Sequence, residues 1–198
     1  MSARLLVITG LPASGKSTLA HRLAVRFQAP LLAKDSIKEP LLERLGALDR
    51  AASRRLSAAS FAVLFALARE QLASGLSVLL EGNFRSPEHD ADLEALLRAS
   101  APSDPLRCAQ LLCVAPEALR RERLAARSHD RLRHPGHRDA ELLAAAAAQP
   151  LDASPGGAVP GDAAGWLRLP GTRFLHEGVD GAGLPQLLAT LDCWWSGS

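Results

Sequence analysis

Residues 10–17 read Gly-Leu-Pro-Ala-Ser-Gly-Lys-Ser, a complete G-x-x-x-x-G-K-[ST] octapeptide set between a short apolar run at 5–9 and a helix-compatible stretch at 16–27. No other feature restricts the fold as strongly, because this motif works only as the turn between a buried strand and a helix N-terminus. Gly10 and Gly15 let the backbone close around a phosphate with its N–H groups, and Leu11, Pro12, Ala13, Ser14 and Thr18 complete the wrap. Lys16 reaches the β and γ oxygens, the Ser17 hydroxyl suits Mg²⁺, and the helix end adds a favourable dipole. A nucleoside triphosphate is the expected ligand.

The rest of the chain alternates in the same way. Short apolar runs at 30–33, 77–81, 106–114 and 172–176 read as further strands. Helical spacing of apolar residues recurs at 37–45 (ended by Gly46), 54–73 (ended by Ser74-Gly75), from Ser86-Pro87-Glu88 through Leu97, from Glu117 to about Arg127, and over 184–195. A further helix is expected from Arg138 to the alanine run before Pro150. Strands alternating with helices specify an α/β fold, here a doubly wound, mostly parallel five-stranded sheet flanked by helices. With 198 residues, one domain spanning 1–198 is expected. Residues 151–165 are rich in Gly, Pro, Ala and Asp without periodicity and read as a long surface loop.

Composition removes several classes of function. The chain carries 23 basic and 21 acidic residues, so its overall charge demands neither a nucleic acid nor a membrane surface. Aromatic residues make up 4% of the chain and include no Tyr, too few for a base-stacking channel. Cys108, Cys113 and Cys193 are odd in number and lack C-x-x-C spacing, so small buried thiols are expected, with no disulfide and no structural metal. No apolar run approaches about 18 residues and no signal-like leader opens the sequence, so a cytoplasmic location without a membrane is expected. The tail Leu191-Asp192-Cys193-Trp194-Trp195 reads as a core edge in preference to an interface; oligomeric state stays open.

Three polar constellations follow predicted strands, where open α/β sheets bind their ligands. Lys34-Asp35-Ser36-Ile37-Lys38 follows the second strand, and a carboxylate there lies beside the triphosphate, placed to take the proton of an attacking hydroxyl. A helix N-cap is the competing role for Asp35. Glu81 ends the third strand, where an acidic residue commonly holds Mg²⁺, and Asn83, Phe84 and Arg85 follow as acceptor-binding candidates facing one crevice. Between 118 and 138 stand seven arginines (120, 121, 123, 127, 131, 133 and 138) against Glu122 and Asp130. Arg120, Arg123 and Arg127 share a helical face, and guanidinium groups on a closing lid over 128–137 would stabilise a transferring phosphoryl group. His134 and His137 read as turn residues within that lid.

Four segments, Gly-Leu-Pro-Ala-Ser-Gly-Lys-Ser-Thr at 10–18, Lys-Asp-Ser-Ile-Lys at 34–38, Leu-Glu-Gly-Asn-Phe at 80–84 and Arg-His-Pro-Gly-His at 133–137, together resemble a family of small P-loop (AAA-type) predicted kinases. That family is similar to chloramphenicol phosphotransferase, the zeta toxins and the kinase part of polynucleotide kinase. The resemblance implies ATP with Mg²⁺, Asp35 as general base, and Arg123 and Arg127 on the phosphates, extending to Arg120 and Arg131. It implies a phosphate-contacting role for Lys38 and places 177–180 near the adenine.

The leading expectation is an ATP-dependent phosphotransferase that moves the γ-phosphoryl group to a hydroxyl of a small molecule. Lys16, Asp35, Arg123 and Arg127 carry the catalysis; Asp35, Lys38, Asn83, Phe84 and Arg85 bind the acceptor; Ser17 and Glu81 hold Mg²⁺. A polynucleotide 5′-hydroxyl kinase is the first alternative, and a nucleotide-binding regulatory ATPase the second. No Asn/Thr-Lys-x-Asp guanine-reading motif is present, which argues against a GTPase switch.

Overall fold

Strand β1 (Arg4–Gly10) is apolar at every position from Leu5 to Ile8 because both of its faces are covered. Leu5 and Val7 point into one core with Leu64, Phe65, Leu80 and Leu93; Leu6 and Ile8 point into another with Leu19, Leu23, Leu111 and Leu191. A computed structural model describes residues 2–46, 49–98, 106–128, 143–144, 165–178, 181 and 183–197. β1 lies at the centre of one sheet with β2 (Leu31–Ala33), β3 (Val78–Glu81), β4 (Arg107–Val114) and β5 (Thr172–Glu177). The order is β2-β3-β1-β4-β5 and every pairing is parallel. Because the chain passes from β1 to the edge at β2 and returns through β3 before crossing to β4, the connections that leave the carboxyl ends of the neighbouring strands β1 and β3 run in opposite directions. Such a reversal opens a crevice where ligands bind.

The helices are α1 (Lys16–Phe27), α2 (Lys34–Leu45), α3 (Arg50–Ala73), α4 (Asp90–Leu97), α5 (Glu117–Ser128) and α6 (Leu184–Ser196). Helices α3 and α4 cover one face of the sheet, while α1 and α6 cover the other and are joined by the Arg26–Asp192 ion pair. The tail is a core edge: Leu191 and Trp194 are buried, and Trp195 stacks on Phe27 with ring centroids 4.4 Å apart. Cys108 and Cys113 are buried thiols, each pushed up to about 12 by burial; Cys193 is exposed. Buried Gln110 holds the segment before β5 against β4, donating to Leu167 O (3.1 Å) and Leu169 O (2.7 Å) and accepting from the Leu167 N–H (3.0 Å).

Three expectations change. Helix α3 starts at residue 50, not 54, because the Asp49 carboxylate accepts the Ala52 N–H at 2.7 Å and caps the first turn. The same helix is also long and apolar enough, by length and composition, to cross a bilayer, with mean hydropathy 1.3 over its most apolar stretch. Alanines and serines between its larger residues conceal this in the linear sequence, and its stripe Leu64, Phe65, Ala68 and Leu72 is buried on the sheet. Helix α4 begins at Asp90 instead of near Ser86. The Ser86–Pro87 peptide is cis, and residues 86–89 form a turn in which the His89 N–H bonds Arg85 O at 2.9 Å. Beyond Ser128 the lid over 128–137, the helix from 138 apart from residues 143–144, and the loop over 151–165 apart from Gly165 lie outside the described residues.

His89 closes that turn by accepting the Arg85 N–H on Nδ1 at 3.0 Å, with its ring 4.1 Å from that of Phe61. Burial holds His89 below the ordinary imidazole value despite the opposing charge of Glu88. The folded state therefore binds a proton at His89 less readily than the unfolded chain, and this contribution to stability is lost as pH falls through the unfolded value of about 6.5. The urea midpoint of the native chain is expected to fall between pH 7.5 and 5.5 more steeply than that of His89→Phe. Equal slopes would remove His89 from the acid sensitivity.

Candidate functional site

The loop from Gly10 to Ser17 has the shape its glycines suggest. Gly10 (φ +152°), Ala13 (φ +63°) and Gly15 (φ +91°) all have positive φ, and the Ser14 N–H closes a turn onto Leu11 O at 3.3 Å. Helix α1 begins directly after Gly15, with neither a side-chain cap nor an acidic residue in its first turn. Its leading N–H groups are thus left for an anion, and the helix end supports negative charge there. At Gly10 a Cβ would sit 2.2 Å from Cys113 O and 2.8 Å from Ser14 Oγ, so only glycine lets β1 turn this close to β4. Gly10→Ala is expected to store about 1–3 kcal/mol of strain, lowering Tm by roughly 2–4 °C for each kcal/mol in a chain of this size. A melting curve and nucleotide binding at unchanged stability would together show that the cradle tolerates a side chain.

The sheet register brings the acidic residues to this loop. Glu81 pairs with Ile8 on one side and Ala33 on the other, which places it one row below Thr9 and Lys34 at the same sheet edge. Its buried carboxylate lies 3.9 Å from Lys16 Nζ, with the Ser17 hydroxyl near enough to favour its charged form. Burial raises Glu81 above the usual carboxylate range, helped by the nearby Asp35 charge and opposed by Lys16, Ser17 and His21. Lys16 also donates to Leu11 O at 3.5 Å. Asp35 stands in the first turn of α2, whose cap position is Ala33, so N-capping is not its role. One of its oxygens accepts from Lys34 Nζ at 2.9 Å. Lys16, Ser17, Glu81 and Asp35, drawn from three separate segments, thus share one electrostatic environment. Among the described residues no group of three or more His, Cys, Asp or Glu could hold a metal. A hydroxyl on one carboxylate is nevertheless a donor set that suits Mg²⁺, which takes few protein ligands and completes its shell with water and phosphate oxygens.

The arginines of α5 divide. Arg120 is buried and donates from Nε to Ala115 O at 3.2 Å, tying the helix to its own entry turn. Arg123 lies against the cradle, with Nη1 donating to Ala13 O at 3.2 Å and Nη2 to Gly178 O at 2.7 Å. Both groups therefore bond main-chain carbonyls, where the resemblance implies phosphate contacts. Arg127, one turn further along, is partly buried. Arg131, Arg133, His134, His137 and Arg138 lie outside the described residues.

The acceptor candidates also divide. Lys38 reaches Ser53 Oγ on α3 at 2.9 Å, Asn83 is half-buried and Arg85 is exposed. Phe84 turns inward: its ring is buried with those of Phe61 (5.4 Å between centroids), Phe65 and His89, so it does not share a crevice with its neighbours. The Thr9 hydroxyl donates to Phe84 O at 3.2 Å and fixes this segment to the end of β1. Lys34 reads in the sequence only as the neighbour of Asp35, and Gly178 only as part of the 177–180 segment that the resemblance places near the adenine; nothing local marks the contact of Lys34 with Asp35 or of Gly178 with Arg123.

Comparison with known proteins agrees with this geometry. Residues 5–149 match the model of a family described as an AAA domain. A crystal structure of a candidate kinase from Chloroflexus aurantiacus J-10-fl is similar at 30% identity and TM-score 0.75, over 96% of this chain and 98% of that one. The fold is shared, at 18% identity and TM-score 0.56 over 100% and 99% of the two chains, with the Mycobacterium tuberculosis APS kinase in complex with AMPPNP and APS. It is shared also, at 15% identity and TM-score 0.51 over 99% and 95%, with an unliganded sugar kinase from Janibacter sp. HTCC2649. No curated protein matches the chain in sequence. The matched region runs from β1 and its cradle through both acidic strand ends to α5, and on that basis the chain belongs to the AAA-domain family, with a P-loop kinase-like fold.

Proposed function

We propose that this protein transfers the γ-phosphoryl group of ATP to a hydroxyl group of a small molecule. The observation that carries the reading is the meeting of Lys16, Ser17, Glu81 and Asp35 beside the uncapped N-terminus of α1 at the carboxyl edge of the sheet. The positive-φ loop and the start of α1, which has no side-chain cap and no acidic residue in its first turn, suit a triphosphate. In this reading Gly10 to Thr18 hold the phosphates, with Lys16 on the β and γ oxygens. Ser17 and Glu81 hold Mg²⁺, which supplies charge neutralisation to the phosphates when bound. Asp35, oriented by Lys34, accepts the proton of the acceptor hydroxyl as its oxygen forms a bond to the γ-phosphorus. The bond from that phosphorus to the β–γ bridging oxygen breaks, and ADP leaves. Arg127 faces the growing charge from α5, while Lys38, Asn83 and Arg85 contact the acceptor.

The test is ADP release with Mg²⁺ across a panel of hydroxyl compounds (sugars, nucleosides, aminocyclitols), with a 5′-hydroxyl oligonucleotide and an acceptor-free control in parallel. Stimulation by a small hydroxyl compound, with phosphate recovered on it, is expected. Stimulation by the oligonucleotide alone would instead identify a polynucleotide kinase, and ADP release that no acceptor accelerates would identify an ATPase.

A further inference from the structure

Arg123 joins Ala13 and Gly178, two loop residues 165 positions apart in the chain. Ala13 is the buried non-glycine residue of the cradle with positive φ, a conformation that persists only where the surroundings hold it. Arg123 Nη1 holds its carbonyl. Gly178 directly follows β5, its N–H bonds Val114 O at 2.8 Å, and a Cβ there would sit 2.8 Å from Ser14 O. A Cβ at Gly15 would lie 3.8 Å from Arg123 Nη1. The segment from Ala13 to Gly15 is therefore lined on one side by Arg123 and Gly178. A planar guanidinium bonded at once to two carbonyls fixes their separation, which a flexible lysine ammonium does not.

We propose that Arg123 is a positioning residue that straps the phosphate loop to the β5–α6 connection and keeps the loop in its anion-binding shape, instead of neutralising the transferred phosphoryl group. The proposal rests on the reading of the loop as a nucleotide site. A strap shapes the whole cradle, so its loss weakens every nucleotide that uses the loop. A phosphate-neutralising arginine acts chiefly in the transition state and leaves ADP alone.

The experiment is titration of ADP and of AMPPNP with Mg²⁺ into the native chain, Arg123→Gln, Arg123→Lys, Gly178→Ala and the Arg123→Gln/Gly178→Ala double variant, with thermal melts of each. Arg123→Gln is expected to weaken ADP and AMPPNP by the same factor, about 10- to 100-fold, with Arg123→Lys recovering little of the loss. Gly178→Ala, which pushes the same contact from the opposite side, is expected to weaken both nucleotides, and the double variant to be no weaker than the poorer single. Undiminished ADP affinity in Arg123→Gln, a loss confined to AMPPNP, or full additivity in the double variant would each overturn the strap. If Arg123→Gln does not fold, Arg123→Lys and Gly178→Ala carry the same comparison. A native chain that binds neither nucleotide would refute the nucleotide-site reading itself.

Discussion

Asp35→Asn is expected to reduce phosphoryl transfer to the stimulating acceptor by on the order of 10² to 10⁴ while leaving ADP affinity nearly intact. Asparagine keeps the size of the side chain and an oxygen that accepts from Lys34 Nζ, the contact made at 2.9 Å in the native chain. What it loses is the ability to take the proton of the attacking hydroxyl. Neither the cradle nor Lys16 touches that change, so ground-state nucleotide binding should persist. Turnover and ADP titration on the same preparation check both halves. Unchanged turnover would remove Asp35 from the mechanism; a matching loss of ADP affinity would mean that it supports the nucleotide site and not the acceptor.

Lys16→Ala is expected to lower turnover by on the order of 10² to 10³ and to disturb the proposed Mg²⁺ site as well. The ammonium lies 3.9 Å from a Glu81 carboxylate that burial already raises above its usual range. Removing the cation leaves that carboxylate with the opposing influence of Ser17 and His21 alone, so it is driven further toward the protonated form, which cannot hold Mg²⁺. The Mg²⁺ concentration for half-maximal activity should therefore rise in Lys16→Ala and fall back as pH increases, because a group with a raised value regains its charge only at higher pH. Adding Glu81→Gln should abolish that pH dependence without restoring turnover. Native turnover in Lys16→Ala would refute the phosphate-loop chemistry, and a Mg²⁺ requirement independent of pH would remove Glu81 from the metal site.

The parts of the site that could be read in advance are those whose chemistry is written within a few consecutive residues. The Gly10–Ser17 turn needs only its own glycines and the strand and helix on either side. Asp35 follows its strand at once, and Glu81 is a strand's last residue, so the strand ends alone bring both toward the loop. Phe84 was open to misreading because the residues that bury its ring, Phe61 and Phe65, lie on α3. The start of α4 is not legible locally, because Ser and Pro at 86–87 are common helix openers, whereas the turn that forms there is closed by His89 against Arg85.

From the amino-acid order alone came the alternation that makes a doubly wound parallel sheet, the glycine-bounded loop at 10–17, and the two carboxylates at the strand ends beside it. These follow from local backbone freedom, from apolar periodicity and from position along a strand. Only the tertiary structure decided that Arg123 bonds Ala13 and Gly178, that Lys34 pairs with its neighbour Asp35, and that Lys16 lies beside the buried Glu81 carboxylate. The first and last of these join residues that the strand order brings together from distant parts of the chain, and contacts across such separations leave no periodic trace in the sequence; the pairing of Lys34 with Asp35 is a choice of side-chain conformation that the order of residues does not mark.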